Sequence, residues 1–215
     1  MKISYGITVH NEAEELQKLL QVLNKNIDKE DEIVVCVDGD DEKVEAVLGE
    51  SLSSWQNYIV YKRKLDKDFS AQKNSVIEKA SGDYIFHIDA DEYPNEILIQ
   101  QLKQILEMNE GVDLIWIPRV NTIEGMTEEH IKRWGWRVTE NHWVNYPDYQ
   151  ARVFRNRKDI RWTRPLHEHI IGCKTYAHLP PNEELSLYHP KTIQKQEKQN
   201  IFYNSNFSAE MNVRM

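Results

Sequence analysis

The chain has 215 residues, with 27 Lys and Arg residues against 35 Asp and Glu residues and a formal net charge of −8. That length predicts one domain with a substantial core. The acid excess excludes a protein that coats nucleic acid, because binding to phosphates requires a basic surface. No apolar run approaches the roughly 18–20 residues that span a bilayer. Cys36 and Cys173 lie far apart in the sequence, which favours buried free thiols and a cytoplasmic location.

Predicted strands and helices alternate along the first 120 residues. The run at 33–37 is continuously apolar, as is typical of a strand buried on both faces of a parallel sheet. Leu16, Leu20 and Leu23 recur at helical spacing, and Asn11 is the expected cap of that helix. The patterns predict strands at 3–9, 33–37, 58–61, 84–88 and 112–118, with helices after the first strand, at 42–48, at 70–80 and after Pro94 and Asn95.

This alternation predicts an α/β fold with a mostly parallel central sheet flanked by helices. Ligands of such sheets bind outside the carboxyl ends of the strands. Polar clusters follow three of the predicted strands, at 10–12, 38–41 and 89–92. We therefore expect these clusters to form one acidic rim that faces a ligand.

The character of the sequence changes after about residue 120. Five of the six tryptophans lie between 116 and 162, and helical character returns only in a polar stretch from Thr192 to about 204. No linker rich in Gly, Ser or Pro separates the two halves, and the sequence has no internal repeat. It therefore predicts one continuous domain in which 121–215 forms a smaller C-terminal lobe.

Asp89 and Asp91 follow the predicted strand 84–88 and are separated by one residue. In extended backbone, side chains at i and i+2 point the same way, so these two carboxylates can converge on one hard cation. Two or three protein oxygens are a typical share for Mg²⁺ or Mn²⁺ when substrate phosphates supply other ligands. The alternative is an acidic turn in a solvated loop.

Several ordered segments resemble family 2 glycosyltransferases of the GT-A fold, and among them most closely the bacterial lipopolysaccharide core glucosyltransferases. The matching segments are ITVHNE at 7–12, the second strand at 33–39, FSAQKN at 69–74, ASGDYI at 80–85, IDADE at 88–92, QARVFR at 150–155 and LHE at 166–168. The last two are similar to a pattern in the acceptor half of that subgroup. The resemblance implies a GT-A fold, with nucleotide-sugar binding in 1–120 and acceptor binding in 121–215.

The resemblance also implies roles for individual residues in the first half. Asp38 would accept a hydrogen bond from the N3–H of uracil, Asp89 would contact the ribose or the sugar, and Asp91 would bind Mn²⁺ or Mg²⁺. The sequence DGDD at 38–41 departs from the pattern of many relatives, which affects the finer contacts with the base. The implied nucleotide-sugar contacts are Thr8, His10, Glu12, Asp38, Lys73, Asn74, Asp89 and Ala90.

The second half supplies candidates for the catalytic base. Inverting transfer needs a group within hydrogen-bond reach that takes the proton of the acceptor hydroxyl. The family's His-Glu signature falls on Glu168, which is the expected base, with Asp148 as the alternative. His167 and His169 are candidates for a third metal ligand or a diphosphate contact, against the simpler explanation that they form local hydrogen bonds.

Basic and aromatic residues offer further candidates. Arg152 and Arg155 suit a diphosphate or an anionic acceptor, because Arg forks match phosphate oxygens, whereas the alternative is ion pairing with the acidic rim. Lys73 either helps to stabilise the leaving diphosphate or is a solvated helix lysine. Trp136, together with Trp134 and Trp143, either stacks on acceptor sugars or packs within the protein.

These patterns predict a metal-dependent glycosyltransferase that moves a sugar from a nucleotide-diphosphate sugar, expected to be a UDP-sugar. The acceptor would be a hydroxyl of a glycan, a lipid-linked sugar or a protein, and the family implies inversion. The alternative is a catalytically silent relative that binds a nucleotide-sugar or a glycan. A nucleotidyltransferase is disfavoured, because the turn at 8–12 has no glycine to cradle phosphates. A lipid-linked acceptor would bring the protein to the inner face of the membrane.

Overall fold

The computed structural model describes residues 1–53, 55–208 and 210–212. Within these ranges the strands are β1 (Ile3–Val9), β2 (Glu32–Val37), β3 (Tyr58–Lys62), β4 (Tyr84–Asp89), β5 (Tyr93–Pro94), β6 (Leu114–Ile117), β7 (Arg119–Glu124), β8 (Gln150–Arg155), β9 (Arg161–Thr163), β10 (His169–Ile171), β11 (Tyr176–His178) and β12 (Leu187–Thr192). The helices are α1 (Ala13–Asn26), α2 (Glu42–Leu52), α3 (Phe69–Lys79), α4 (Glu96–Met108), α5 (Glu128–Trp134) and α6 (Ile193–Asn206). The elements predicted in the first half are confirmed, with their ends shifted by a few residues.

The central sheet has the strand order β11-β6-β8-β4-β1-β2-β3. Neighbouring strands are parallel from β3 through β2 and β1 to β4, whereas β8 is antiparallel to both β4 and β6. The predicted α/β class with a mostly parallel sheet is therefore confirmed. Strands β8 and β11 come from the second half of the chain. That half thus completes the central sheet, and the described residues show no separate C-terminal lobe.

Strand β2 shows why the core forms as the apolar pattern predicts. All six of its residues are buried. Ile33 and Val35 belong to the large cluster that includes the leucines of α1, while Val34 and Cys36 pack against Val76 of α3 on the other face. Because side chains alternate between the faces of a strand, a continuous apolar run is needed where helices cover both. Each fully buried aliphatic side chain contributes roughly 1.5–3 kcal/mol.

The start of α1 differs from the prediction. Glu12 is the residue before the helix, rather than Asn11, and it makes no side-chain cap. Instead, Glu12 Oε2 accepts hydrogen bonds from the backbone N–H groups of His10 at 2.8 Å and Asn11 at 3.1 Å. A carboxylate can accept several N–H groups at once, so Glu12 fixes the tight turn that leaves β1.

Besides the central sheet, the described residues form two small sheets, one of β10 and β9 and the other in the order β5-β12-β7. Strand β12 pairs parallel with β7 and antiparallel with β5, and this register sets His189 beside Asn121. Helix α5, which the sequence pattern did not predict, begins with a reciprocal cap between Thr127 and His130 and ends at Gly135, whose φ is 63°. Glycine adopts this left-handed conformation without the steric cost that a Cβ imposes.

Two expectations drawn from composition concern thiols and membranes. Both thiols are free, and Cys36 is buried as predicted, whereas Cys173 is only partly buried. Among the helices described, none has the length and apolar character required to cross a membrane.

Candidate functional site

A cavity of about 1870 Å³ opens where the polar turns leave β1, β2 and β4. Parallel strands end at the same edge of a sheet, which explains why Asp38, Asp89 and Asp91 share one space. The predicted site residues that line it are Thr8, His10, Glu12, Asp38, Lys73, Asp89, Ala90, Asp91, Trp136, Asp148, Arg152, His167, Glu168 and His169. Asn74 and Arg155, although described, do not belong to this lining.

The turns after β1 and β2 are tied together at the nucleotide end of the predicted site. Asp38 Oδ1 accepts the backbone N–H of Leu65 at 2.9 Å, and His10 Nδ1 lies 2.6 Å from the carbonyl oxygen of Asp38. A carbonyl only accepts, so His10 Nδ1 carries the hydrogen. One oxygen of the Asp38 carboxylate is thereby fixed, while an ionised carboxylate retains further lone pairs for a donor in the cavity.

Lys73 is a buried cation between two carboxylates. Its Nζ lies 2.5 Å from Glu168 Oε1 and 3.2 Å from Asp89 Oδ1, and only 3% of the residue is exposed. A solvated helix lysine is therefore the wrong interpretation. Burial lowers the pKa of Lys73, but Asp89 and Glu168 outweigh it and raise that pKa above its usual value. In return, Lys73 keeps the pKa of Glu168 below its usual value despite burial, so both groups are charged at neutral pH.

Glu92 lies at the centre of a buried network of ion pairs. In the sequence it appears only as part of the cluster at 89–92, with no role of its own. Its Oε1 accepts hydrogen bonds from Arg119 Nη1 at 2.6 Å and Arg152 Nη2 at 2.7 Å. Arg152 Nη2 also donates to Asp89 Oδ2 at 2.8 Å. Arg152 therefore pairs with the acidic rim, which was the alternative to a contact with a diphosphate. Burial raises the pKa of Asp89, but Arg152 and Lys73 hold it well below its usual range. Asp89 is thus ionised and its charge is balanced by two cations.

His189 in β12 approaches Asp91, with 3.2 Å between Nε2 and Asp91 Oδ2. Asn121 Nδ2 donates to Asp148 Oδ2 at 2.9 Å, so its Oδ1 faces His189 Nδ1 at 2.7 Å and must accept from it. Burial and the nearby Arg119 lower the pKa of His189. The ring is therefore neutral at neutral pH, with its Nε2 lone pair next to a carboxylate oxygen. Two acceptors in this arrangement fit a shared cation.

His189 was not among the residues predicted from the sequence, whereas His167 and His169 were the predicted candidates for a further metal ligand. Among the contacts of the described residues, neither of those two meets Asp91. His167 Nε2 lies 3.0 Å from Asn212 Oδ1, and the positive φ of 52° at His167 means that the backbone there is not extended. His169 belongs to β10. In the described part of the chain, no group of three His, Cys, Asp or Glu side chains forms a metal site. No local motif marks His189, because the pairing of β12 with β7 positions it.

Asp148, the alternative base, is engaged through both carboxylate oxygens. Arg119 Nη2 and Asn121 Nδ2 donate to Oδ2 at 2.6 Å and 2.9 Å, and Gln150 Nε2 donates to Oδ1 at 3.0 Å. Each of these hydrogen bonds uses a lone pair that a base would need for the acceptor hydroxyl. The two candidate bases therefore differ, since Glu168 forms an ion pair with Lys73 through Oε1, whereas both oxygens of Asp148 accept hydrogen bonds.

Two predicted contacts have structural partners instead. Asn74 Nδ2 donates to the carbonyl oxygen of Trp162 at 2.8 Å, and Asn74 Oδ1 accepts the Trp162 N–H at 2.9 Å. This amide thus ties α3 to β9. Arg155 pairs with Tyr84, the first residue of β4, and its guanidinium lies 5.0 Å from the centre of the Tyr84 ring. β8 runs antiparallel to β4, so its last residue, Arg155, lies beside the start of β4. Arg155 is therefore at the end of the strands opposite to the cavity, whereas Arg152 lies toward the cavity.

The tryptophans divide between the cavity and the protein interior. Trp136 lines the cavity, and its ring centre lies 4.7 Å from that of Trp134. Trp143 packs edge-on against Tyr146, and Trp162 is 5% exposed within the second core cluster. Packing therefore explains Trp143. Trp162 packs in the core and also lines the cavity, as Trp136 does.

Comparison with known proteins assigns the family. The model of glycosyl transferase family 2 matches residues 4–207. The chain belongs to glycosyl transferase family 2. This family 2 domain is 30% identical over 167 residues to a TPR repeat-containing protein of Synechococcus elongatus, which covers 78% of this chain and 35% of that protein. It is 32% identical over 98 residues to the poly(ribitol-phosphate) beta-glucosyltransferase of Bacillus spizizenii, covering 43% and 15%. The chain thus spans about a third or less of these curated relatives.

Solved structures show the same fold at low sequence identity. The S. aureus TarS fragment 1–349 in complex with UDP-GlcNAc has a TM-score of 0.63 and 17% identity, covering 89% of this chain and 59% of the fragment. A longer S. aureus TarS structure has a TM-score of 0.61 and 15% identity, covering 98% of this chain and 41% of TarS. The predicted GT-A fold of this family 2 domain is therefore confirmed.

Proposed function

We propose that this family 2 domain moves a sugar from a UDP-sugar to an acceptor hydroxyl, with inversion at the anomeric carbon. One observation carries the proposal, namely that Asp38, Asp89 and Asp91 line one cavity of about 1870 Å³. Ligand pockets range from roughly 300 to 1,000 Å³, so this cavity has room for a donor and an acceptor together. The complex of S. aureus TarS with UDP-GlcNAc supports UDP as the first nucleotide to test.

The donor is held by groups that the fold has already fixed. The Asp38 carboxylate, anchored by the Leu65 N–H, accepts the N3–H of the base. Asp89 is ionised, and an ionised carboxylate is a strong acceptor for ribose or sugar hydroxyls. The backbone N–H of Ala90 donates to the carbonyl oxygen of Thr8 at 3.1 Å, which keeps the two turns in register. Residues 1–120 therefore act as the donor half and 121–215 as the acceptor half.

Asp91 and His189 would hold Mn²⁺ or Mg²⁺. A carboxylate oxygen and a neutral imidazole nitrogen 3.2 Å apart suit a divalent cation, because both are acceptors and Asn121 orients the imidazole. Asp89 is a weaker candidate, since Arg152 and Lys73 already balance its charge. When bound, the cation supplies Lewis-acid stabilisation of the leaving diphosphate. Substrate oxygens and water would complete its ligand set, as is common for Mg²⁺.

Glu168 is the proposed base. During transfer it takes the proton of the acceptor hydroxyl, the acceptor oxygen forms a bond to the anomeric carbon, and the bond from that carbon to the diphosphate breaks. Lys73 keeps the pKa of Glu168 below its usual value although burial opposes this, so the carboxylate is unprotonated at neutral pH. Asp148 is the less suitable base, because both of its oxygens already accept hydrogen bonds.

The acceptor is proposed to be a hydroxyl of a bacterial surface glycan. The Bacillus spizizenii relative is named for poly(ribitol-phosphate), and the sequence resembles lipopolysaccharide core glucosyltransferases. A lipid-linked acceptor would place the protein at the inner face of the membrane, whereas a soluble glycan or a protein acceptor would not require this.

A donor-turnover assay tests this function. UDP-, GDP- and dTDP-sugars are offered with Mn²⁺, with Mg²⁺ and with EDTA, and the release of nucleoside diphosphate is measured. We expect turnover of a UDP-sugar that EDTA abolishes. Asp91→Asn should reduce metal-dependent turnover about 10³-fold while the melting temperature stays close to that of the wild type. Asp28→Asn, at an exposed carboxylate that pairs with Lys103, is the matched control and should keep full turnover.

The same assay separates the alternatives. Binding of a nucleotide-sugar without turnover, under every metal condition, would identify a catalytically silent binding protein. Equal turnover in EDTA, or an Asp91→Asn variant as fast as Asp28→Asn, would remove the metal from the proposal. If no nucleotide-sugar is bound or turned over, the transferase function itself is refuted.

A further inference from the structure

A second cavity of about 390 Å³ adjoins the cavity that contains Asp38, Asp89 and Asp91, which we call the reaction cavity. Trp134, Asn200, Asn204 and Asn212 line only this second space, which we call the side cavity, whereas Trp136 is among the residues that line both. Its volume falls at the lower end of the roughly 300–1,000 Å³ that ligand pockets occupy. The side cavity is therefore a continuation of the reaction cavity that is large enough for a small ligand.

The described residues that line the side cavity are mainly aromatic side chains and carboxamides. Among the described residues, no Asp, Glu, Lys or Arg belongs to this lining, although these four types make up 29% of the sequence. Asn and Gln carboxamides take their place. Each carboxamide both donates and accepts hydrogen bonds, as the hydroxyl groups of a sugar do. An anionic unit would lose its hydration there, and no Lys or Arg among the described lining residues would compensate.

Trp134 provides an apolar wall whose orientation is fixed. Its ring stacks on His130, with 5.4 Å between ring centres and 16° between planes, and Trp136 lies against it. Helix α5 carries Trp134 as its last residue and is held at its start by the cap between Thr127 and His130. A half-buried indole combines a flat apolar face with a polar edge, which matches a sugar ring with C–H faces and hydroxyl groups at its edge.

The amides of α6 are oriented by hydrogen bonds of their own. Gln196 Nε2 donates to Asn200 Oδ1 at 3.0 Å, and Asn212 Nδ2 donates to Asn204 Oδ1 at 2.8 Å. Both asparagines therefore use their carbonyl oxygens within the protein. Their NH₂ groups, for which the described residues give no acceptor, remain donors for a ligand in the side cavity.

We propose that the side cavity is an acceptor subsite that binds a neutral sugar unit next to the unit whose hydroxyl is glycosylated. The acceptor of this domain is accordingly an oligosaccharide with at least one uncharged sugar near its growing end. The proposal rests on the proposed function, because it names the acceptor class for the adjoining reaction cavity.

Binding measurements without donor test the subsite independently of catalysis. The probes are a set of neutral tetrasaccharides of glucose and N-acetylglucosamine, the corresponding monosaccharides, and the anionic tetragalacturonate. Binding to the full chain is followed by saturation-transfer NMR and by tryptophan fluorescence. We expect at least one neutral tetrasaccharide to bind about tenfold more tightly than its monosaccharide and than tetragalacturonate. Donor turnover by the same preparations is measured in parallel.

Variants locate the binding within the side cavity. Trp134→Ala should weaken tetrasaccharide binding about tenfold, and Trp134→Phe, which keeps a flat ring, should retain most of it. Asn200→Ala should weaken it about threefold without harming the helix, because alanine is the best helix former. Tyr176→Ala removes an exposed aromatic ring outside both cavities and should change nothing. UDP-sugar hydrolysis by Tyr176→Ala should equal that of the wild type.

Several results would overturn the subsite. These are the failure of every neutral oligosaccharide to bind, tighter binding of tetragalacturonate, or equal tetrasaccharide affinity in Trp134→Ala and Tyr176→Ala. A wild-type protein that binds the tetrasaccharide through Trp134 and turns over no nucleotide-sugar would refute the proposed function and keep the subsite as a glycan-binding site. The two failures are thus distinguishable.

Discussion

The two sides of the reaction cavity are built in different ways. One side, the strand-end rim, consists of the turns at 10–12, 38–41 and 89–92 that follow β1, β2 and β4. The other, which we call the wall, consists of 119–121, 148–152, 166–169 and 189–191. The rim follows directly from buried parallel strands, whereas the wall depends on short strands and on irregular backbone such as the positive φ of His167. The rim is therefore set by local pattern and the wall by long-range pairing.

The wall, together with Lys73 of α3, also determines which partners each acid of the rim has. Asp89 meets Arg152 and Lys73, so its charge is balanced by the protein itself. Asp91, one residue from Asp89, meets the neutral side chain of His189 and lies 3.7 Å from Lys191. Two aspartates that look equivalent in the sequence therefore have different partners, and this difference supports the proposal that Asp89 contacts the donor and Asp91 binds the cation.

The largest expected effect concerns Glu168, the proposed base. Glu168→Gln should reduce sugar transfer about 10³-fold, because a carboxamide cannot take the proton of the acceptor hydroxyl. Donor affinity, measured by titration of UDP, should stay close to that of the wild type. Asp148→Asn is the parallel variant. If it stops transfer while Glu168→Gln transfers normally, the base is Asp148.

Two arginines of β8 provide a matched test of the wall's buried charges. Arg152→Met should lower the free energy of unfolding by about 4 kcal/mol, because Glu92 and Asp89 each lose a buried cation. Arg155→Met should cost no more than about 1 kcal/mol, because that side chain lies at the far edge of the sheet and is 28% exposed. Urea unfolding measures both. Equal losses would show that Arg152 is not the centre of a buried network.

A carboxylate of the first half outside the rim should control acid stability. Glu32 accepts hydrogen bonds from Lys2, Ser4 and Ser81, and although burial opposes the shift, these bonds lower its pKa from 4.5 to about 2. Its contribution of about 3 kcal/mol is complete above pH 4.5 and is lost as the pH falls toward 2. In Glu32→Gln, unfolding measured between pH 7 and pH 2.5 should show a smaller pH dependence than in the wild type. An identical dependence would contradict this.

The smallest effect is expected at Asn74, which the family resemblance assigns to the nucleotide. Because its amide bonds both backbone groups of Trp162, Asn74→Ala should lower the free energy of unfolding by about 1–2 kcal/mol. UDP affinity should change less than about twofold, since the side chain does not line the cavity. A large loss of UDP affinity with unchanged stability would restore the nucleotide-contact role.

Much of the fold and part of the site could be predicted from the sequence. The apolar run at 33–37 and the helical spacing of Leu16, Leu20 and Leu23 suffice to predict the parallel sheet and its covering helix, because both patterns act over a few residues. Once the sheet is parallel, the turn that carries Asp38 and the turn that carries Asp89 must meet at one edge. By contrast, no local pattern distinguishes Arg152 from Arg155, and only the antiparallel direction of β8 does.

By itself, the sequence determined the α/β class, the family and the set of acids that gather at the carboxyl edge of the sheet, because these depend on periodicity and on contiguous motifs. Only the tertiary structure decided the partners of those acids. His189 lies 98 residues from Asp91 in the chain, and β12 brings it there by pairing with β7. Charge and hydrogen-bond partners depend on such long-range contacts, because a carboxylate responds to the groups within a few ångströms and not to its neighbours in sequence.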